Sequence, residues 1–209
     1  VVKGFESELN AEILRTKDFS WSIRGNVSVL DYKVNSLNGS QQELQNDSYV
    51  VTRVGDEPNV FKLVKSAGVD PTNGDALFYK LDGSITNVYS AGDAQVLAGK
   101  STLPSTYGGF GTSFNYKGFA LNADFSFQTG AYTYNQTYAN LVDFSSSEYN
   151  MSTDAAAYWQ KPGDVTFLPK PTTAGIRTSD AFLQKTDNIR FRNLEVGYTF
   201  DKNFLGESI

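Results

Sequence analysis

Phe119-Ala120-Leu121-Asn122-Ala123-Asp124-Phe125-Ser126-Phe127-Gln128 decides how this chain is read. Phe119, Leu121, Ala123, Phe125 and Phe127 alternate with Asn122, Asp124, Ser126 and Gln128. Successive side chains of a β-strand point to opposite sides, so this strand is apolar on one face and polar on the other. A soluble sandwich produces such a pattern by burying the apolar face against a second sheet. A membrane barrel produces it by turning the apolar face to lipid and the polar face to a watery lumen.

The same pattern recurs on either side. The stretch Tyr107–Lys117 precedes this strand and joins it through a tight turn at Lys117-Gly118. From Gly4 to Arg15, Phe5, Leu9, Ala11 and Ile13 alternate with Glu6, Glu8, Asn10 and Glu12. A turn at Thr16-Lys17-Asp18 leads into Phe19–Leu30, where Trp21, Ile23, Val27 and Val29 oppose Ser20, Ser22, Arg24, Asn26 and Ser28. These strands match the roughly 9–11 residues that a tilted strand needs to cross a bilayer. A last strand, Ile189–Phe200, changes its apolar face near Asn193; either a β-bulge reconciles it or Arg190 and Arg192 face outward.

Between the pairs lie long polar segments with turn signals at Asn38-Gly39, Pro71-Thr72-Asn73-Gly74 and Asp82-Gly83, and short strands are expected near Ala76–Lys80 and Ser84–Tyr89. The expected organisation is a hairpin over 1–30, an extracellular loop over 31–106, a hairpin over 107–129, an extracellular loop over 130–188 and a strand over 189–200. The predicted fold is all-β: a portion of an antiparallel transmembrane β-barrel, with about five long strands and two long extracellular loops. Short turns at one end and long loops at the other are the asymmetry of outer-membrane barrels. The competing reading is a secreted or surface-anchored soluble β-sandwich that binds glycans through its loops.

Composition narrows the chemistry. Among 209 residues there are 15 Phe, 12 Tyr and 2 Trp, but neither Cys nor His. That excludes a thiol nucleophile, an imidazole base, a disulfide and the usual zinc ligands. A net charge of −5 argues against nucleic acid as partner. No apolar run approaches the roughly 20 residues of a membrane helix. The chain opens Val1-Val2-Lys3 with no initiator Met or signal-peptide pattern, so it is expected to be a piece of something longer.

Four ordered segments carry a family resemblance. Asp187-Asn188-Ile189-Arg190-Phe191-Arg192-Asn193-Leu194-Glu195-Val196-Gly197-Tyr198-Thr199-Phe200 resembles a stretch near the end of SusC/RagA-type TonB-dependent transporters. Gly4-Phe5-Glu6 through Asp18-Phe19-Ser20-Trp21 resembles a barrel hairpin of that family. Gly68-Val69-Asp70-Pro71-Thr72-Asn73-Gly74-Asp75 with Asp82-Gly83 resembles one of its loops, and Gly99-Lys100-Ser101 through Pro104 to Tyr107-Gly108-Gly109-Phe110 the entry to its next hairpin. Trp159-Gln160-Lys161-Pro162-Gly163-Asp164 is a weaker match to a further loop. The resemblance implies a C-terminal slice of a barrel of about 22 strands. It also implies import of oligosaccharide or peptide across the outer membrane of a Bacteroidetes-type bacterium, with TonB acting through a region outside this chain. A SusD-like surface lipoprotein and outer-membrane lipid are its implied partners.

The site residues follow from those readings. Arg24, Asn26, Asn122, Asp124 and Gln128 are expected to face the lumen. Tyr132, Tyr134, Tyr138, Tyr158 and Trp159, with Phe144 and Tyr149, offer apolar faces and polar handles for substrate contact, loop packing or a partner. Asp70, Asp75 and Asp82 are candidate calcium ligands, against turn-shaping roles; the rest of an EF-hand pattern is missing, with Phe78, Lys80 and Tyr89 at its ligand positions. No other cofactor is expected. Glu6, Glu8 and Glu12 form a carboxylate row that a water-facing wall explains without catalysis, and no enzyme is expected. Gly108-Gly109-Phe110-Gly111 lacks the lysine and helix of a phosphate loop and reads instead as close backbone approach within a strand.

Overall fold

A computed structural model describes residues 1–145 and 150–200. The chain forms β1 (Val2–Arg15), β2 (Phe19–Tyr32), β3 (Glu43–Asp47), β4 (Val50–Arg53), β5 (Val60–Leu63), β6 (Lys65–Val69), β7 (Ala76–Tyr79) and β8 (Ile85–Thr86). It continues through β9 (Gln95–Ser101), β10 (Thr106–Tyr116), β11 (Phe119–Thr129), β12 (Tyr132–Tyr134), a short helix α1 (Gln136–Leu141), β13 (Leu183–Lys185) and β14 (Asn188–Tyr198). Two compact units result. The first takes Val1–Tyr32, Pro104–Ala131 and Thr186–Ile209, and the second Lys33–Leu103 and Tyr132–Lys185.

The first unit is a five-stranded antiparallel sheet in the order β1-β2-β10-β11-β14. Its turns are chemically specified. Thr16 caps the first: its Oγ1 accepts from the Phe19 amide at 3.1 Å, and its own amide donates to the Phe19 carbonyl at 2.7 Å. Lys117 and Gly118 both take positive φ (44° and 87°), as the two-residue turn matched to strand twist requires.

Register then sorts the side chains. Phe19, Tyr116, Phe119 and Tyr198 stand opposite one another across four strands, and Trp21, Phe114, Leu121 and Val196 form the next row. Further along lie Gly25, Phe110, Phe125 and Phe191. Ring centroids are 4.9 Å apart for Phe110–Phe125 and 5.1 Å for Phe125–Phe191.

Two bulges preserve this sorting. Between Glu12 and Leu14 the register slips, so Leu14 pairs with Trp21 and Arg15 with Ser20. Strict alternation places Arg15 on the apolar side; the bulge moves it to the polar side, where it meets Glu12 at 2.6 Å. In β14 the slip leaves Arg192 unpaired between Asn193, opposite Asp124, and Phe191, opposite Phe125. The bulge is therefore the correct resolution of the face change near Asn193. Arg190 and Arg192 belong to the polar face, where the Arg192 Nε donates to Ser126 Oγ at 2.8 Å.

The second unit holds the core. Segments expected as long polar loops contain a four-stranded sheet β3-β4-β5-β9, a three-stranded sheet β6-β7-β8 and the pair β12-β13. One cluster buries Val50, Phe61, Leu63 and Leu97, and another Ala139, Val142, Ala155, Leu168 and Phe182. Tyr134 packs on both. The expected short strands near Ala76–Lys80 and Ser84–Tyr89 are β7 and β8.

Candidate functional site

The polar face of the five-stranded sheet is a set of continuous rows. One runs Asn10, Arg24, Gly111, Asp124, Asn193 across all five strands. Arg24 pairs with Asp124 although β10 lies between their strands, and its Nη1 also donates to Ser113 Oγ at 2.9 Å. The residue between them on β10 is Gly111, where a Cβ would collide with the Asp124 carboxylate and come within 3.0 Å of Arg24 Nε. A neighbouring row runs Glu8, Asn26, Gly109, Ser126, Arg190. There the Asn26 side-chain oxygen accepts from the Gly109 amide at 2.8 Å. The glycines of Gly108-Gly109-Phe110-Gly111 are thus sites of close approach within a strand.

Asn122 donates to Glu195 at 3.3 Å one row along, and Gln128 pairs with Tyr107 and Asn188 in another. All five residues assigned to the lumen side, Arg24, Asn26, Asn122, Asp124 and Gln128, therefore share one face. That face carries Glu6, Glu8, Glu12 and Arg15 along β1, and Arg190, Arg192 and Glu195 along β14. A concavity of about 570 Å³ lies on it, lined by Asn26, Tyr107, Gln128, Asn188, Arg190 and Arg192 among others. Its opposite face leaves Phe5, Ile189, Phe191, Leu194 and Val196 more than half exposed, at 64%, 69%, 57%, 55% and 66%. On that apolar side the Trp21 indole N–H donates to Thr112 Oγ1 at 2.9 Å, so the two polar groups satisfy each other.

The loop aromatics are engaged elsewhere. Tyr132, Tyr134, Tyr138, Tyr158 and Trp159 are all half-buried in the second unit. The Tyr132 hydroxyl accepts from Lys100 Nζ at 2.7 Å. Burial pushes the Tyr134 phenol up from its usual range, and burial with the nearby Asp154 carboxylate does the same to Tyr138. Tyr158 and Phe144 meet edge to face at 5.2 Å; Tyr149 lies outside the described residues.

Trp159 acts as a clamp. Its indole N–H donates to the Pro71 carbonyl at 3.2 Å, and its ring covers Gly74, leaving no room for a Cβ there. Gly163 N–H also donates to Pro71 O at 2.8 Å. The two motifs around 68–75 and 159–164, far apart in sequence, are therefore one packed structure.

The candidate calcium ligands point to separate tasks. Asp70 accepts from the Thr72 amide and hydroxyl at 2.8 and 2.6 Å, and Asp82 from those of Ser84 at 2.9 and 2.6 Å. Asp75 pairs with Lys170 at 2.8 Å and accepts from Asn87 at 2.9 Å. These bonds hold all three carboxyls below the usual carboxylate range, through Thr72 for Asp70, Ser84 for Asp82, and Lys170 then Asn87 for Asp75. Among the described residues no three carboxylates gather as a metal site. The signal for their turn roles was in the sequence: each of Asp70 and Asp82 stands two residues before a hydroxyl residue.

No protein-family model matches the chain. TonB-dependent receptors of Formosa agariphila do, among them receptor P3, 24% identical over 99% of this chain, and receptor P26, 26% identical over 98%. The chain spans 22% of the length of each. Among solved structures, that of the RagAB peptide transporter superposes with a TM-score of 0.88 at 21% identity, covering all of this chain and 24% of that one. The "closed-closed" state of the RagAB peptide importer matches equally, at 0.88. Among the described residues no helix is long and apolar enough to cross a membrane. Sequence similarity along nearly its whole length and a shared fold thus bear out the resemblance of this chain to SusC/RagA-type TonB-dependent transporters.

Proposed function

We propose that this chain is wall and loop structure of an outer-membrane importer of the TonB-dependent, SusC/RagA type. The polar rows would line the passage for an oligosaccharide or peptide, and the apolar face would meet outer-membrane lipid. The second unit then belongs to the extracellular side, together with a SusD-like surface lipoprotein, while TonB supplies the drive.

The observation that carries this reading is the two-faced sheet. Its apolar face stays exposed and is edged, at the short-turn end, by the aromatic row Phe19, Tyr116, Phe119, Tyr198. Aromatic girdles border the apolar band of membrane barrels, where an apolar ring with a polar tip suits the interface. At about 3.3 Å per residue, Thr106 to Tyr116 span roughly 33 Å along the strand, and a tilt of about 40° brings that to about 25 Å, the height of such a band. The soluble sandwich requires this face to be covered by a second sheet; the exposure of Ile189, Phe191 and Val196 runs against it.

Neighbouring residues on β14 test the facing. In the natural polypeptide refolded into vesicles, a probe on Leu194→Cys is expected to be quenched by lipid-borne quenchers. A probe on Asn193→Cys should be reached only from water. The same holds for Phe125 and Asp124 on β11. Reversed accessibility, or water access to both faces, would sink the reading.

A further inference from the structure

The second unit holds a cleft of about 360 Å³ that none of the roles above uses. Its hydrophobic wall is the buried ring of Phe78, with Tyr89 against it edge to face at 5.3 Å. The guanidinium of Arg177 lies over the other ring, 5.7 Å from the Tyr89 centroid. Elsewhere in the lining Lys170 pairs with Asp75 at 2.8 Å, and Asn87 donates to the same carboxylate at 2.9 Å.

Charge in the cleft does not balance. Its charged lining residues are Asp75, Lys170 and Arg177. Lys170 neutralises Asp75, and the Asn87 amide further satisfies it. Among the described residues Arg177 makes neither an ion pair nor a hydrogen bond, and it lines the cleft beside the Tyr89 ring. One positive charge is left over in a chain whose net charge is −5. Tyr89 lies within cation–π reach of the guanidinium, so ring and charge sit side by side in the cleft. A guanidinium matches the two oxygens of a carboxylate, and the flanking rings suit an apolar or ring-shaped body next to it.

From this geometry we infer that the cleft binds a small organic carboxylate, with Arg177 gripping the two oxygens and Tyr89 and Phe78 bearing the attached body. The free end of a peptide and a uronic acid residue of a glycan share this chemistry. The site would be a capture point on the loop unit of the proposed importer; that purpose rests on the import reading, whereas the binding does not.

The test uses the natural polypeptide in detergent and isothermal titration with paired probes. One pair is a short peptide with a free C-terminal carboxylate and its C-terminal amide. The other is a uronic acid disaccharide and its methyl ester. At least one acid is expected to bind about tenfold or more tightly than its neutral partner, the scale of a charge-assisted, two-point contact. Which pair shows the preference identifies the source. Arg177→Gln, at an exposed position, is expected to erase the preference while Trp159 emission shows the loop unit intact. Arg177→Lys should keep part of it, and Tyr89→Leu should weaken acid and neutral forms alike. Equal binding of acid and neutral forms in both pairs, or a preference that survives Arg177→Gln, would overturn the assignment. Failure of the lipid-facing test on β14 would leave these titrations unaffected, so the two ideas fall separately.

Discussion

Gly111 has no side chain, and for that reason Arg24 on β2 and Asp124 on β11 can join hands across the strand between them. The pair itself is modest. Its side chains keep 42% and 34% of their exposure, and ion pairs open to water contribute about 0–1 kcal/mol. The missing Cβ matters more, because one placed there would also press within 3.0 Å of the Ala123 carbonyl oxygen. Overfilling a packed site costs about 1–3 kcal/mol. Gly111→Val is therefore expected to lower the urea midpoint of the vesicle-refolded protein by more than Arg24→Met does. Equal effects would mean that the pair, and not the space beneath it, holds this row together.

An element can hide its own geometry. β14 reads as two half-strands of opposite facing, and one unpaired residue, Arg192, joins them. If the bulge serves only to rephase the strand, deleting Arg192 leaves a regular ladder with every remaining side chain on its present face. The deletion variant is expected to refold with a heat-modifiable gel shift like the parent's, losing only the contact to Ser126. The loop around 70–75 answers to acid. Asp75 is held low by Lys170 and Asn87, Asp70 by Thr72 and Asp82 by Ser84. Because the folded values lie below an unfolded carboxyl of about 3.9, these groups add stability above that pH and lose it as pH falls through their native values. In a Trp21→Phe background, Trp159 emission is thus expected to shift to the red below about pH 4 and to hold steady from pH 5 to 8. The long strands were legible because period-two alternation over ten residues admits few other readings. The bulge at Glu12/Leu14 was concealed, since alternation alone cannot say which of Ile13 and Leu14 is the extra residue. The second unit was concealed for a different reason. Its strands are short, and its core residues, such as Val60, Leu63 and Phe182, come from segments more than a hundred residues apart, so no local period marks them. Trp159 reads as a binding aromatic by type, and only the fold shows that its ring is spent on Gly74.

At the scale of the whole chain, apolar side chains have two fates. In the second unit they close into cores: Val51, Val60, Leu63, Val64 and Val142 are almost wholly buried. In the first they form an open face, a state that water penalises by about 25 cal/mol for each Å² of apolar surface left exposed. In the proposed membrane setting lipid would remove that penalty and replace it with a strict demand on chemistry. On that reading a charge on the apolar face would have to be placed in hydrocarbon, while on the polar face it would meet water and partners already present. Leu194 occupies the row Ile23, Thr112, Ala123, Leu194, well inside the apolar band, while Asn193 beside it shares a row with Arg24 and Asp124. Leu194→Arg is expected to cost about 2–4 kcal/mol in the urea unfolding free energy of the vesicle-inserted protein, as charges at the middle of a barrel's lipid face do. Asn193→Arg should cost under about 1 kcal/mol, the scale of an ordinary surface change. Near-equal costs at the two positions would mean that both faces meet the same solvent, and a wall between lipid and water would no longer describe this sheet.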